Sequence, residues 1–451
     1  MFEVQEKPKL VERAFIVGVE YPGDVHEQID LLLDELNDLV ETLEIKVGGR
    51  EIVRIKNPRA KFLIGPGKAE EIIQLARKHR CDCIVIDVDL SPGQQRNWEH
   101  ESKSCVIDRQ EVILDIFASR AQSKEAVLQV DLARMQYSLP RLKRAWTHLS
   151  RQRGGGVTQR GEGEAQLELD QRMVRNRITK LKKDIAGVVK HRAVQRKRRQ
   201  KVPVPTAAIV GYTNAGKSSL LNRLTGASVL IEDKLFATLD PTTRHLTLPS
   251  GQKILLTDTV GFVRRLPHHL INAFKATLEE AVVSDFLIHV IDITSPQIDQ
   301  YRETTLNVLK ELGADEKRII TVYNKIDLLD SEQLGDIKLN TGTGSYYISS
   351  QTGEGIDALM SQMDKFLEDS ISFMELLIPH HRYDLVSRLH ELGGVKNEKA
   401  IEEGVYIQGN VPRLLVNKFM PFKMRPINGA SPRINDEQID FKDTAQIEER
   451  D

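Results

Sequence analysis

Gly211-Tyr212-Thr213-Asn214-Ala215-Gly216-Lys217-Ser218 has the spacing G-x-x-x-x-G-K-[ST], follows the apolar run 207–210 and precedes helix-like sequence. In that setting glycines let main-chain N–H groups close on phosphate oxygens at a helix N-terminus, where the dipole favours anions. Lys217 would reach the terminal phosphates and Ser218 would ligate Mg²⁺. Asp258-Thr259-Val260-Gly261 ends a second apolar run, 254–257. An aspartate there holds Mg²⁺ through water, and the Gly261 N–H senses a γ-phosphate. Asn324-Lys325-Ile326-Asp327 follows a third run, 319–323. The Asp327 carboxylate only accepts hydrogen bonds, which suits the N1–H and N2 amino donors of guanine, a pair that adenine lacks. Asn324 would brace the loop, and the stem of Lys325 would cover the base. Ser349 and Ser350, after 346–348, would bring main chain to the guanine O6. Three motifs in this order, each at the end of a strand-like run, imply a site for GTP and GDP.

Between the first two motifs lies Phe236-Ala237-Thr238-Leu239-Asp240-Pro241-Thr242-Thr243-Arg244. A threonine here would meet Mg²⁺ only when the γ-phosphate is present, so that the loop orders with GTP. Thr238 is the choice, with Thr242 and Thr243 as alternatives that position alone does not separate. Hydrolysis also needs a positioned water. Many switches carry a glutamine after D-x-x-G, but this chain has Phe262, whose ring cannot orient water. No catalytic side chain is therefore assigned, and intrinsic hydrolysis is expected to be slow and stimulated in trans. His268 and His269 receive no role, because surface histidines near a helix start are the commoner case.

These residues need elements to hold them. At 451 residues the chain is too long for one core, and about two to four domains are expected. Residues 1–120 alternate strand-like segments (14–19, 52–55, 83–88, 105–107) with helical ones (25–43, 68–79, 93–102), which reads as a parallel α/β domain. Residues 121–202 read as a helical hairpin. One seam runs through Leu128, Leu132, Met135, Leu139 and Leu142, and the other through Val174, Ile178, Leu181, Ile185 and Val188. Pro140 is expected to kink or break the first helix. The tip is glycine-rich, and from Arg172 to Lys201 Asp184 is the only acid among many lysines and arginines. Residues 203–368 form the phosphate-loop domain. Residues 369–422 form a small α+β domain with strands at 374–378 and 404–407 and a helix at 383–392, and 423–451 a charged tail without fixed structure.

The formal net charge is −1, so the basic second helix is a local feature suited to a polyanion. No apolar run is long enough to cross a bilayer and no signal peptide is evident, which points to the cytoplasm and leaves peripheral membrane association open. The cysteines, Cys81, Cys83 and Cys105, read as reduced thiols rather than a disulfide framework or metal site.

Together these segments resemble the HflX-type GTPases, ribosome-associated members of the translation-factor-related GTPases. The resemblance covers nearly the whole chain. It rests on Gly65-Pro66-Gly67-Lys68, on Asp89 to Asn97, on Gly154-Gly155-Gly156, on Arg160 to Glu164 and on the nucleotide motifs above. It implies that the Mg²⁺ threonine is Thr238, and that an asparagine placed like Asn214 helps hold K⁺ near the phosphates. It implies binding to the large ribosomal subunit, with the N-terminal domain and hairpin against ribosomal RNA, and splitting or rescue of stalled ribosomes. Off the ribosome a monomer is expected. Glu162 stands where the family usually has proline, and Ser350 where it usually has alanine. The alternative is an RNA-remodelling or ribosome-assembly factor that also uses ATP in the N-terminal domain. Against it, Gly65 to Lys68 lacks the full phosphate-loop spacing and a Ser/Thr after the lysine.

Overall fold

The computed structural model describes residues 11–24, 26–145, 157–199, 204–226, 235–236, 238–264, 275–340, 344–368, 371–392, 394–412 and 415–424. Gly154 to Gly156, Ala237, His268, His269 and the tail from 425 lie outside them, as do the side chains of Arg160 to Glu164. The chain divides into two compact units, 1–364 and 365–451.

The first unit begins with β1 (Arg13–Glu20), α1 (His26–Thr42), β2 (Lys46–Arg54), α2 (Pro66–Lys78), β3 (Cys83–Ile86), α3 (Pro92–Ser102), β4 (Cys105–Asp108) and α4 (Arg109–Arg120). The strands make a parallel sheet in the order β2-β1-β3-β4, as the alternation predicts. β2 starts at Lys46 rather than at 52, because Gly48 and Gly49 interrupt the apolar pattern without ending the strand. A Cβ on Gly48 would stand 2.5 Å from Arg13 Nε and 2.6 Å from Cys81 Sγ, so close packing demands glycine there. α4 has no counterpart in the sequence reading. Val112, Ile113, Leu114, Ile116 and Phe117 are all buried, which leaves no one-sided helical period to detect. All three cysteines are free.

The hairpin follows as α5 (Lys124–Ala145) and α6 (Val157–Arg199). α5 continues through Pro140 instead of breaking there. On α6 the less exposed positions between 171 and 190 are Gln171, Val174, Ile178, Leu181, Ile185 and Val188, the expected seam plus one residue. α5 has a second stripe that the seam concealed. Ala126, Val130, Ala133 and Tyr137 are buried and join one apolar cluster with residues of α1, α4 and the nucleotide domain.

That domain comprises β5 (Thr206–Gly211), α7 (Lys217–Thr225), β6 (Thr242–Thr247), β7 (Lys253–Asp258), α8 (Lys275–Val283), β8 (Phe286–Asp292), α9 (Ile298–Glu311), β9 (Arg318–Asn324), α10 (Ser331–Asn340), β10 (Ser345–Tyr347) and α11 (Ile356–Glu368). The sheet order is β10-β9-β8-β5-β7-β6, parallel except for β6. β6 is a further departure from expectation, because its TTRHLT sequence has only one buried residue, Leu246, with which to announce a strand.

The second unit contains β11 (Ile371–Ile378), α12 (Tyr383–Glu391), β12 (Val395–Ile401), β13 (Gly404–Pro412) and α13 (Val416–Phe419), with an antiparallel sheet in the order β11-β13-β12. Among the described residues no helix is long and apolar enough to cross a membrane.

Candidate functional site

β5 sits between β8 and β7, so the turn after it opens at the C-terminal edge of the sheet, where such folds bind ligands. The turn is held open by close packing. Gly216 has φ 88°, and a Cβ there would meet Asn324 Nδ2 at 2.2 Å. Asn324 is fully buried. Its Nδ2 donates to the Ala215 carbonyl at 2.9 Å, and its Oδ1 accepts from the Ser350 N–H at 3.0 Å. One side chain thus ties together the phosphate loop, β9 and the 349–353 loop.

The cavity beside this turn has a volume of about 770 Å³. Of the residues singled out in the sequence, Thr213, Asn214, Gly216, Lys217, Ser218, Phe236, Thr238, Thr259, Gly261, Asn324, Lys325, Asp327 and Ser350 line it. Gly211, Tyr212, Ala215, Leu239, Asp240, Asp258, Val260, Ile326 and Ser349 are not among its lining residues. Leu239 and Val260 belong to the apolar core, and Ile326 packs with Ile291, Ile293 and Tyr323. Asp240 accepts from the Gln122 and Ser123 N–H groups at 3.0 and 2.9 Å and from the Ser123 hydroxyl, at the entry to α5. Sequence reasoning missed Ser219, Asn222, Arg223, Gly226, Leu328 and Gln351 in the lining. Ser219, Asn222 and Arg223 share one face of α7, with Asn222 four residues after Ser218, so helical spacing from Ser218 and Ser219 was the available signal.

Three oxygens converge at one end. Ser218 Oγ and Thr238 Oγ1 lie 2.8 Å apart, and both donate to Asp258 Oδ2, at 2.7 and 2.9 Å. Asp258 is fully buried, and its Oδ1 has no hydrogen-bond partner among the described residues. Burial pushes its carboxyl up, opposed by Lys217 and by the two hydroxyls. An all-oxygen set with an unsatisfied carboxylate atom suits a hard cation such as Mg²⁺. Thr243 Oγ1 is instead paired with Thr257 Oγ1 at 2.9 Å on β6 and β7. The main chain of the Asp258 segment is zipped to the phosphate loop: Thr213 N–H donates to the Phe262 carbonyl at 2.8 Å and Phe262 N–H to the Gly211 carbonyl at 3.1 Å. The Phe262 ring is buried in the core. A Cβ on Gly261 would lie 2.8 Å from Thr213 Cγ2 and 2.9 Å from Lys217 Nζ, so no side chain fits against the loop there.

Lys217 is buried and donates from Nζ to the Tyr212 carbonyl at 2.7 Å. Burial pushes its pKa down to about 8, with Asp258 partly opposing. The protonated amine is the form that attracts phosphate, and bound phosphate raises its pKa. Affinity for GDP should therefore fall as pH rises through the free-site value, by about fourfold between pH 7 and 8.5. Calorimetric titration across that range checks this, and a flat profile would show that Lys217 stays charged when the site is free.

At the other end, Lys325 adopts φ 71° and its Nζ pairs with Asp292 Oδ2 at 2.7 Å, which lays the aliphatic stem along the cavity. Asp327 is exposed and presents its carboxylate there.

Residues 31–118 match the family described as GTP-binding GTPase N-terminal, residues 120–199 the GTP-binding GTPase Middle Region, and residues 206–325 the 50S ribosome-binding GTPase. The GTPase HflX of Akkermansia muciniphila is 48% identical over 435 residues, covering 94% of this chain and 99% of its own. That of Lacrimispora saccharolytica is 44% identical over 412 residues, covering 91% and 96%. Among solved structures, a GTP-binding protein from the archaeon Sulfolobus solfataricus in complex with GDP is 26% identical, covering 78% of this chain and 98% of that one with a TM-score of 0.42. With the identity to the two relatives running through both N-terminal regions and the phosphate-loop domain alike, the chain belongs to the HflX family of GTPases and hydrolyses GTP.

Proposed function

We propose that this GTPase binds the large ribosomal subunit in its GTP form, splits or rescues ribosomes there, and leaves after hydrolysis to GDP and phosphate. The observation that supports the ribosomal part is α6. Arg172, Arg175, Arg177, Lys180, Lys182, Lys183 and Lys190 are exposed along it, and Asp184 is the only acid between 172 and 190. Such a face suits phosphates of ribosomal RNA through counterion release, with little demand for base readout.

Nucleotide control would come from the three-oxygen cluster. Ser218 and Thr238 would hold Mg²⁺ directly and Asp258 through water; the ion, when bound, neutralises charge on the phosphates. Because Thr238 belongs to the loop that also supplies Phe236 to the cavity, the loop orders with the γ-phosphate. Asn214, at φ 59° in the loop, is the proposed K⁺ ligand. Hydrolysis at least severalfold faster in K⁺ than in Na⁺ buffer supports that role, and equal rates would remove it.

Sedimentation with large subunits, comparing GDP with a non-hydrolysable GTP analogue over a salt series, tests the main reading. Analogue-dependent binding is expected, weakening about 100-fold from 50 to 200 mM salt if about four phosphates are neutralised. No binding in either state would remove the ribosome from the account. The reading with ATP use in the N-terminal domain draws no support from Lys68. Its Nζ is engaged by Glu51 and Glu71, each at 2.9 Å, and those two partners raise its pKa.

A further inference from the structure

Tyr212 is the second residue of the phosphate loop, yet its side chain points away from the cavity and is 5% exposed. Its ring stacks on Tyr301 of α9, with centroids 3.8 Å apart and planes 10° from parallel. Its hydroxyl makes two bonds of opposite sense. It donates to Glu35 Oε1 of α1 at 2.6 Å and accepts from the Arg264 main-chain N–H at 2.7 Å. Burial first, and then the Glu35 carboxylate, push the phenol well above its ordinary pKa, so it stays a donor.

Glu35 is held in turn. Its Oε2 pairs with Arg109 Nη2 at 2.9 Å, and Arg109 Nη1 pairs with Asp87 Oδ1 at 2.7 Å. All three side chains are at least nine-tenths buried. Burial pulls the Arg109 guanidinium down, and the two carboxylates overcome this and leave it above the usual arginine value. On the other side, Arg264 is fixed by Gln297, Gln300 and the face of Tyr301. The hydroxyl therefore joins the segment that follows Asp258 to a rigid ionic cluster in the N-terminal domain, across 177 residues of sequence. Phosphate binding does not require a phenol at this position, since the loop contacts phosphate through main-chain N–H groups. A phenylalanine would stack on Tyr301 equally well. The hydroxyl has a separate task.

We propose that Tyr212 is a positioning residue for GTP hydrolysis: its hydroxyl, braced by Glu35, holds the Gly261–Arg264 main chain in register with the phosphate loop. The N-terminal domain thereby steadies, in cis, the segment that follows Asp258, on which the slow intrinsic rate depends. This depends on GTP hydrolysis alone and not on the ribosomal reading, so the assays are run without ribosomes.

Tyr212→Phe keeps the stacked ring and the Glu35–Arg109 pair while removing both hydroxyl bonds. Under single turnover its hydrolysis rate should fall about tenfold, with the KM for GTP and the affinity for fluorescent GDP within about twofold of wild type. Glu35→Met should lose a similar factor. The double variant should be no slower than Tyr212→Phe alone, because the two act as one unit. Unchanged or faster hydrolysis in Tyr212→Phe overturns the proposal, as do losses that multiply in the double variant. If Glu35→Met fails to fold, Tyr212→Phe alone decides the matter through its rate against its GDP affinity.

Discussion

Asp327→Asn lowers affinity for GTP and GDP by about 100-fold and raises it for the xanthosine nucleotides. Asp327 lines the cavity, where its carboxylate would accept from the N1–H and N2 amino donors of guanine, and hydrogen bonds to a charged group contribute about 1.5–3 kcal/mol each. An asparagine keeps one acceptor and turns a donor toward the guanine N2 amino group, so one bond becomes a repulsive contact. Xanthine carries a carbonyl at that place, which the new donor satisfies. Competition binding with GDP, XDP and ADP reads the change directly. The fold should tolerate the substitution, because Asp327 is exposed whereas Asn324, Lys325 and Ile326 hold the loop. An unchanged preference for guanine would move base recognition to another part of the cavity.

Arg109→Leu is the substitution expected to cost most stability, about 3–5 kcal/mol. It leaves the Glu35 and Asp87 carboxylates buried around an aliphatic side chain, with only the Tyr212 hydroxyl and neighbouring groups to solvate them. Urea unfolding followed by circular dichroism measures the loss. A cost under about 1 kcal/mol would mean that the cluster reaches water and is not the rigid anchor argued above. Guanidinium deletion and hydroxyl deletion should also separate in kind: the first lowers the urea midpoint, the second slows hydrolysis at a nearly unchanged midpoint.

The nucleotide motifs were legible because each is a short run at a strand end, where a few consecutive residues carry the whole chemistry. Position alone did not separate Thr238 from Thr243; the family resemblance favoured it, and in three dimensions it is Thr238 that approaches Ser218 and Asp258. What remained hidden was of two sorts. Some elements lack the periodicity by which sequence is read: α4 is buried on too many sides, and β12 is an edge strand with five consecutive exposed residues. Other features are partnerships over long sequence separations. Tyr212 was read as a phosphate-loop residue and Asp240 as part of the switch loop. Nothing local to either announces Glu35 or Ser123 as its partner, and a polar side chain's destination is set by the fold as a whole.

The bond from Asp240 to the entry of α5 has a mechanical consequence. α5 is 22 residues long, a rod of about 33 Å. It is clamped along one side to the N-terminal core and along another to α6, and its first turn is tied to the loop that carries Thr238. A strut so constrained has little freedom except to slide or tilt as a whole. A shift of α5 along its axis would pull on the loop, and tightening of the loop would pull on the entry to α5. The position of α5 and the position of the loop that carries Thr238 are thus tied to each other through Asp240.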